Sequence, residues 1–253
     1  MDQKKQLHPI SFADIHTDLI QHASKEKAAG LSRFFKTGKG EYGEGDMFLG
    51  VVVPDMRRLI SKYRDCSDTA MRACIDSRYH EERLFGLLLL VSKYERASKE
   101  EKARYYHLYC ANTVRINNWD LVDLTASHVV GEYAYRTGDF STIRKFVRSP
   151  LLWERRIGMI ATLYGITHGD TALTYECARV LLGDTEDLLH KAVGWMLREA
   201  GKRVSEKELI GFLDETAPLM PRTMLRYAIE RLPKNEKVRI IKMPSIVTRR
   251  RRI

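Results

Sequence analysis

The sequence predicts an all-α fold, a HEAT-like helical-repeat solenoid (an α-α superhelix), and three observations predict it. Apolar residues recur three and four positions apart through nearly every segment. Helix-start signals precede many of those segments, and no run alternates with the period of a strand for long enough to compete. Helices of roughly 8 to 18 residues joined by short connections stack in pairs, and stacked pairs make a solenoid whose inner helices line one concave surface. The repeat is degenerate, so an irregular helical bundle is the competing architecture.

Taken in order, Ser11 opens a capping box (SFAD), and Phe12, Ile15, Leu19 and Ile20 follow at helical spacing. A second helix is expected over 25–36. The Gly-rich stretch TGKGEYGEGD, residues 37–46, reads as a flexible surface connection. It lacks the GxxxxGK[ST] order of a phosphate-binding P-loop and follows no strand. Pro54 suits the first turn of a helix running through MRRLISKYR. Further helices are expected at 69–76, 81–96, 99–111, 119–137, 141–147, 151–166, 171–182, 186–200, 205–213 and 221–232. Ser98 with Glu101 and Ser205 with Glu208 supply two more capping boxes. The expected organisation is one domain over 1–233 and a basic tail over 234–253.

Composition narrows the function. A chain of 253 residues, 44% hydrophobic and 30% charged, has the make-up of a soluble globular protein. Its longest apolar run, in EERLFGLLLLVSKY, is too short to span a bilayer, and no apolar stretch follows the first lysines as a secretory signal would require. Cys66, Cys74, Cys110 and Cys177 show no CxxC pairing and read as reduced thiols of a cytoplasmic protein. His80, His107, His128, His168 and His190 form no i, i+4 pair, which argues against a metal site. The net charge of +10 suggests a polyanionic partner, but 234–253 alone carries eight Lys/Arg against one Glu, leaving the body only +3. A nucleic-acid surface on the body must therefore come from local segregation of charge.

The candidate site is built on the three tryptophans. Trp119, Trp153 and Trp195 lie in NNWDLVD, SPLLWERR and HKAVGWMLREAGKR, 34 and 42 residues apart, close to the spacing of successive helix pairs. Residues three or four apart share a helix face, so Trp119 falls over Asp123, Trp153 over Arg156, and Trp195 between Lys191 and Arg198. Asp120, nearer the helix start, reads as structural, and Trp153, on a mostly apolar helix, as core. Aromatic planes beside a carboxylate, with cations nearby, suit a cationic group attached to a polyanion, as an alkylated base in DNA would be.

These segments, together with GEGDMFLGVVVPDMRRL (43–59) and PRTMLRYAIERLP (221–233), give the chain a resemblance. From about 29 to 233 it resembles the DNA alkylation repair family of HEAT-like repeat glycosylases typified by AlkD. The resemblance implies removal of N3- and N7-alkylated purines from double-stranded DNA by a monomeric, monofunctional glycosylase without cofactor or metal. It implies recognition from the backbone side without base flipping, and a cytoplasmic enzyme that is nucleoid-associated when bound to DNA. Carried over, the catalytic carboxylate falls on Asp123, the cleft tryptophans on Trp119 and Trp195, and the cleft arginine, expected as a DNA-binding cation that holds phosphate, on Arg156. Phosphate contacts fall on Arg57 and Arg198, with Lys191 beside Trp195 as a further DNA-binding cation. Arg155 places a second cation beside Arg156, and the terminal RRRRI has no counterpart. Two alternatives stand: a non-catalytic member that binds branched or distorted DNA, and a helical scaffold whose cleft takes a peptide.

Overall fold

The computed structural model describes residues 10–244. Among them every regular element is helical, and the one departure is an isolated bridge between Met47 and Tyr79. The chain is all-α, as its periodicity predicts. It divides into two compact units, residues 1–121 and 122–253.

The first unit contains α1 (Phe12–Gln21), α2 (Lys25–Phe34), α3 (Val53–Tyr63), α4 (Asp68–Ile75), α5 (His80–Arg96) and α6 (Lys99–Ala111), and ends within α7 (Trp119–Asp123). The Ser11–Asp14 and Ser98–Glu101 capping boxes both form, each side chain serving the other's backbone. α5 is the central helix, packed against α3, α4 and α6. Leu84, Phe85, Leu87, Leu89 and Leu90 are fully buried along it.

The first turn of α5 is also buried, although it reads His80, Glu81, Glu82, Arg83. Four buried ionisable groups are tolerable only when each has a partner. The Glu81 carboxylate accepts the backbone N–H groups of Leu49 (3.0 Å), Gly50 (2.8 Å) and Val51 (3.3 Å). That segment lies in neither helix nor sheet, so a side chain satisfies its donors. Gly50 has φ +85, and a Cβ there would lie 2.7 Å from the Ala28 nitrogen, so both conformation and space require glycine. Glu82 receives the Ser77 hydroxyl and faces His16.

The second unit contains α8 (Glu132–Thr137), α9 (Ser141–Phe146), α10 (Leu152–Ala161), α11 (Leu163–Thr167), α12 (Ala172–Leu181), α13 (Asp187–Arg203), α14 (Glu206–Thr216), α15 (Arg222–Ala228) and α16 (Lys234–Ile241). Two expected helices are broken here. The stretch 119–137 is interrupted by a π-helical segment, Ser127–Gly131, which packs against α10 and α11. No proline marks it, so periodicity alone could not place the break. The stretch 151–166 divides at Thr162, whose hydroxyl donates back to the Met159 carbonyl at 2.8 Å, a local bond that competes with the helical ladder.

α13 organises this unit, packing against α10, α12, α14 and α15. Its approach to α15 depends on Gly194, where a Cβ would stand 2.5 Å from the Met224 carbonyl oxygen. Ser205 caps α14 by accepting the Glu208 N–H at 3.1 Å, but the Glu208 carboxylate takes the Thr171 hydroxyl at 3.0 Å, so the expected box closes on one side only. Part of the expected tail is also folded: Ile240 on α16 is fully buried, and Arg239 pairs with Asp214 of α14 at 2.7 Å. The four terminal arginines lie outside the described residues.

Candidate active site

In the first unit, Trp119 opens α7 from a wall of aromatic rings. Its half-buried indole stacks on buried Phe35 (centroids 5.2 Å, planes 28° apart) and meets Phe34 edge-on at 5.8 Å. Phe34, the last residue of α2, is 62% exposed, so the wall presents an open aromatic face. Behind it Phe35 stacks on Phe48 at 5.3 Å, and both rings lie against the His80 imidazole, at 4.9 and 4.7 Å.

His80 sits in a buried charge network. Its Nε2 faces Asp120 at 2.8 Å and its Nδ1 faces Asp46 at 3.1 Å. Arg83 donates to Asp46 at 2.5 Å and to the Asn117 side-chain carbonyl at 3.1 Å. Two carboxylates thus meet two cations. Burial alone would lower the His80 imidazole, but the bonds to Asp120 and Asp46 outweigh it and push its pKa up to about 9. Burial would likewise raise the Asp46 carboxyl, and the His80 bond and the Arg83 charge hold it below the usual carboxylate range. Asp46 closes the Gly-rich segment. That segment folds through successive turns, Glu41 to Gly38 and Gly43 to Lys36 among them, and its last side chain is buried. The expected loop between α2 and α3 is present, and the buried Asp46 side chain anchors its end.

In the second unit, Asp123 and Arg156 form a bidentate pair. Arg156 Nε donates to Oδ1 at 2.9 Å and its Nη2 to Oδ2 at 2.7 Å, while Nη1 donates to the Leu188 carbonyl at the start of α13. The Arg156 side chain is 6% exposed and that of Asp123 15%. Arg156 can reach Asp123 because it lies on the inner side of α10, with Ile157, Met159 and Ile160 continuing the buried face. A planar fork matches a carboxylate in distance and direction, so the aspartate is held in a fixed orientation.

A family model described as DNA alkylation repair enzyme matches residues 15–232. The chain belongs to this family. Among solved structures it is similar to a predicted DNA alkylation repair enzyme from Enterococcus faecalis, at 17% identity and a TM-score of 0.66 over 84% of this chain and 98% of that one. At that identity the likeness speaks for the fold. No curated protein matches the chain.

For a member of the DNA alkylation repair family, the expected cations occupy three kinds of position. Arg156 is turned inward onto Asp123 and Leu188, so its bonds go to protein groups. Lys191 and Arg198 lie on α13 with half-buried Trp195. Lys191 pairs with Asp187 at 2.8 Å, and Arg198 with Glu199 at 3.3 Å and with Glu230. Lys191 and Asp187 are 40% and 57% exposed, so their pair is weak, whereas Arg198 and Glu199 are 20% and 9% exposed and more firmly held. Arg57 is exposed on α3. Arg155, expected as a second cation beside Arg156, instead pairs with Asp184 at 2.7 Å and donates to the Ser149 and Pro150 carbonyls. Asp120 is structural as expected: it lies in the first turn of α7, its Oδ1 accepts the Leu121 backbone N–H at 2.9 Å, and its Oδ2 faces His80 as well.

Sequence reasoning missed Phe34, Phe35 and the Asp46–His80–Arg83 cluster. Phe34 and Phe35, at the end of α2, read as an ordinary apolar helix end, and nothing local marks Phe34 as exposed. For the cluster a signal existed: HEER opening an apolar helix is an unusual concentration of charge ahead of a buried face.

Proposed function

We propose that the protein is a monofunctional DNA glycosylase that hydrolyses the bond between deoxyribose and a cationic N3- or N7-alkylated purine in duplex DNA. An alkylated purine of this kind leaves as a neutral base, taking the electron pair of the C1′–N bond. Positive charge then develops on the sugar as an oxocarbenium-like ion. A fixed carboxylate beside C1′ stabilises that charge and orients the water that adds there, accepting its proton. Asp123 takes this role. Trp119 and Trp195 offer π-faces to the electron-poor sugar, with Phe34 extending the wall of Trp119. Arg57, Lys191 and Arg198 hold backbone phosphates, and Arg156 acts through Asp123.

The observation that carries the reading is the Asp123–Arg156 pair. A carboxylate gripped at both oxygens by a buried guanidinium has a fixed orientation, and 15% of the Asp123 side chain is still exposed. Electrostatic catalysis needs this kind of preorganisation. The reading requires no base-binding pocket. A cavity of about 560 Å³ beside α12 and α14, with Asp170, Tyr175, Glu208 and Phe212 in its lining, contains none of these residues. The test is to incubate methylated duplex DNA with the protein and identify freed bases by chromatography. Release of 3-methyladenine and 7-methylguanine, with uracil left in place, is the expected result; excision of uracil contradicts it.

One observation favours a second reading. Both Asp123 oxygens already accept from Arg156, as in a structural ion pair. A non-catalytic protein binding branched or distorted DNA through the same cations would release no base and would shift branched DNA in a gel.

A further inference from the structure

Within residues 1–121, Trp119 is held from several directions by groups that lead back to one side chain. Its backbone N–H donates to the Asn118 side-chain carbonyl at 2.8 Å, and its indole lies on Phe35. The next residue, Asp120, accepts from His80 Nε2, and Phe35 lies against the same imidazole. On its far edge, Nδ1 of that ring reaches Asp46, where the Gly-rich loop ends. A single imidazole therefore joins the loop, the start of α7 and the ring stack beneath Trp119.

We propose that His80 is a positioning residue, fixing Trp119 through Asp120 and Phe35 and the loop through Asp46, so that the indole meets its substrate in one orientation. The kinetic consequence rests on the glycosylase reading; the positioning itself does not. A carboxylate oxygen faces each ring nitrogen, an arrangement that favours hydrogen on both nitrogens and so the imidazolium form, in line with the raised His80 pKa. The groups facing it are Asp46 from the loop, Asp120 from α7 and Arg83 from its own helix. Arg83 is bonded to the same Asp46, so the two carboxylates are balanced only while His80 is charged. The rings of Phe35 and Phe48, at 4.9 and 4.7 Å, add cation–π attraction to the charged form. A neutral ring presents a lone pair to one carboxylate. That contact is repulsive, and relieving it moves either the loop or the backbone that carries Trp119.

Three measurements on the full-length protein test this. Nitrogen-15 NMR of the histidine side chains should show both His80 nitrogens protonated at pH 7.5. Fluorine NMR of 5-fluorotryptophan protein, with Trp119→Phe assigning the resonance, should show Trp119 sharp in the wild type and shifted or broadened in His80→Gln. Steady-state base release should show kcat lowered roughly 10- to 100-fold in His80→Gln, as a misplaced contact group costs, with KM changed less than about twofold. A neutral His80 at pH 7.5, or a Trp119 resonance indifferent to His80→Gln, overturns the proposal. So does an unchanged kcat in a variant that folds. The NMR of the wild type stands even where the variant does not fold. If no base is released by the wild type, the glycosylase reading fails while both NMR results still decide the positioning role.

Discussion

Replacing Arg156 by lysine separates two roles that both call for arginine. The guanidinium makes three charged hydrogen bonds, two to Asp123 and one to the Leu188 carbonyl. Lysine keeps the charge but presents one compact ammonium on a flexible stem, so it cannot grip both carboxylate oxygens and the carbonyl together. Hydrogen bonds to charged groups contribute about 1.5–3 kcal/mol each, and disrupting a buried pair costs about 3–5 kcal/mol. Because lysine retains part of the interaction, we expect Arg156→Lys to lose about 3 kcal/mol, a fall in Tm on the order of 5–10 °C. Asp123 then loses its fixed direction, so kcat should drop by roughly 100-fold while KM for methylated duplex DNA stays nearly constant. The assays are thermal melts followed by single- and multiple-turnover base release across a salt series. A phosphate ligand behaves otherwise: its lysine variant keeps kcat and Tm, raises KM, and flattens the salt dependence. That outcome would refute the inward, carboxylate-orienting role of Arg156.

Three further outcomes follow from the geometry. His80 has a folded pKa of about 9 against an ordinary 6.5, so its contribution to stability is complete below the ordinary value and is lost as pH rises through about 9. A shift of that size corresponds to about 3 kcal/mol, so the wild-type urea midpoint should fall more than that of His80→Gln between pH 7 and 10; parallel falls would contradict it. Glu81→Gln removes the charge that serves three backbone donors and should cost about 2 kcal/mol, with faster amide exchange at Leu49, Gly50 and Val51 but not along α6. Gly194→Ala forces α13 away from α15 and should destabilise by about 2 kcal/mol or more, shifting the fluorescence of neighbouring Trp195; an unchanged melt would show that the two helices can separate without loss.

What was legible in the sequence was what local chemistry determines. Ser11 and Ser98 announced their helices because a hydroxyl and a carboxylate three residues apart can serve each other's backbone. The all-α class followed from periodicity. The same logic failed at Ser205, where a distant Thr171 captured the Glu208 carboxylate, and at residues 127–131, where packing rather than sequence punctuation broke the helix. Asp123 and Arg156 were both singled out, yet 33 residues separate them. An arginine meant for a phosphate and one meant for a carboxylate look alike in one dimension. The His80 cluster joins residues 34 and 40 positions apart, and only the folded chain brings them together.

The central claim is that the Asp123 carboxylate stabilises positive charge on a deoxyribose as its alkylated base departs. The most direct measurement is single-turnover release of 7-methylguanine from duplex DNA by the wild type and by Asp123→Asn, with DNA affinity measured in parallel. The account predicts an affinity changed by less than about threefold and a rate constant lowered by roughly 10² to 10³. Equal rates in the two proteins would contradict it.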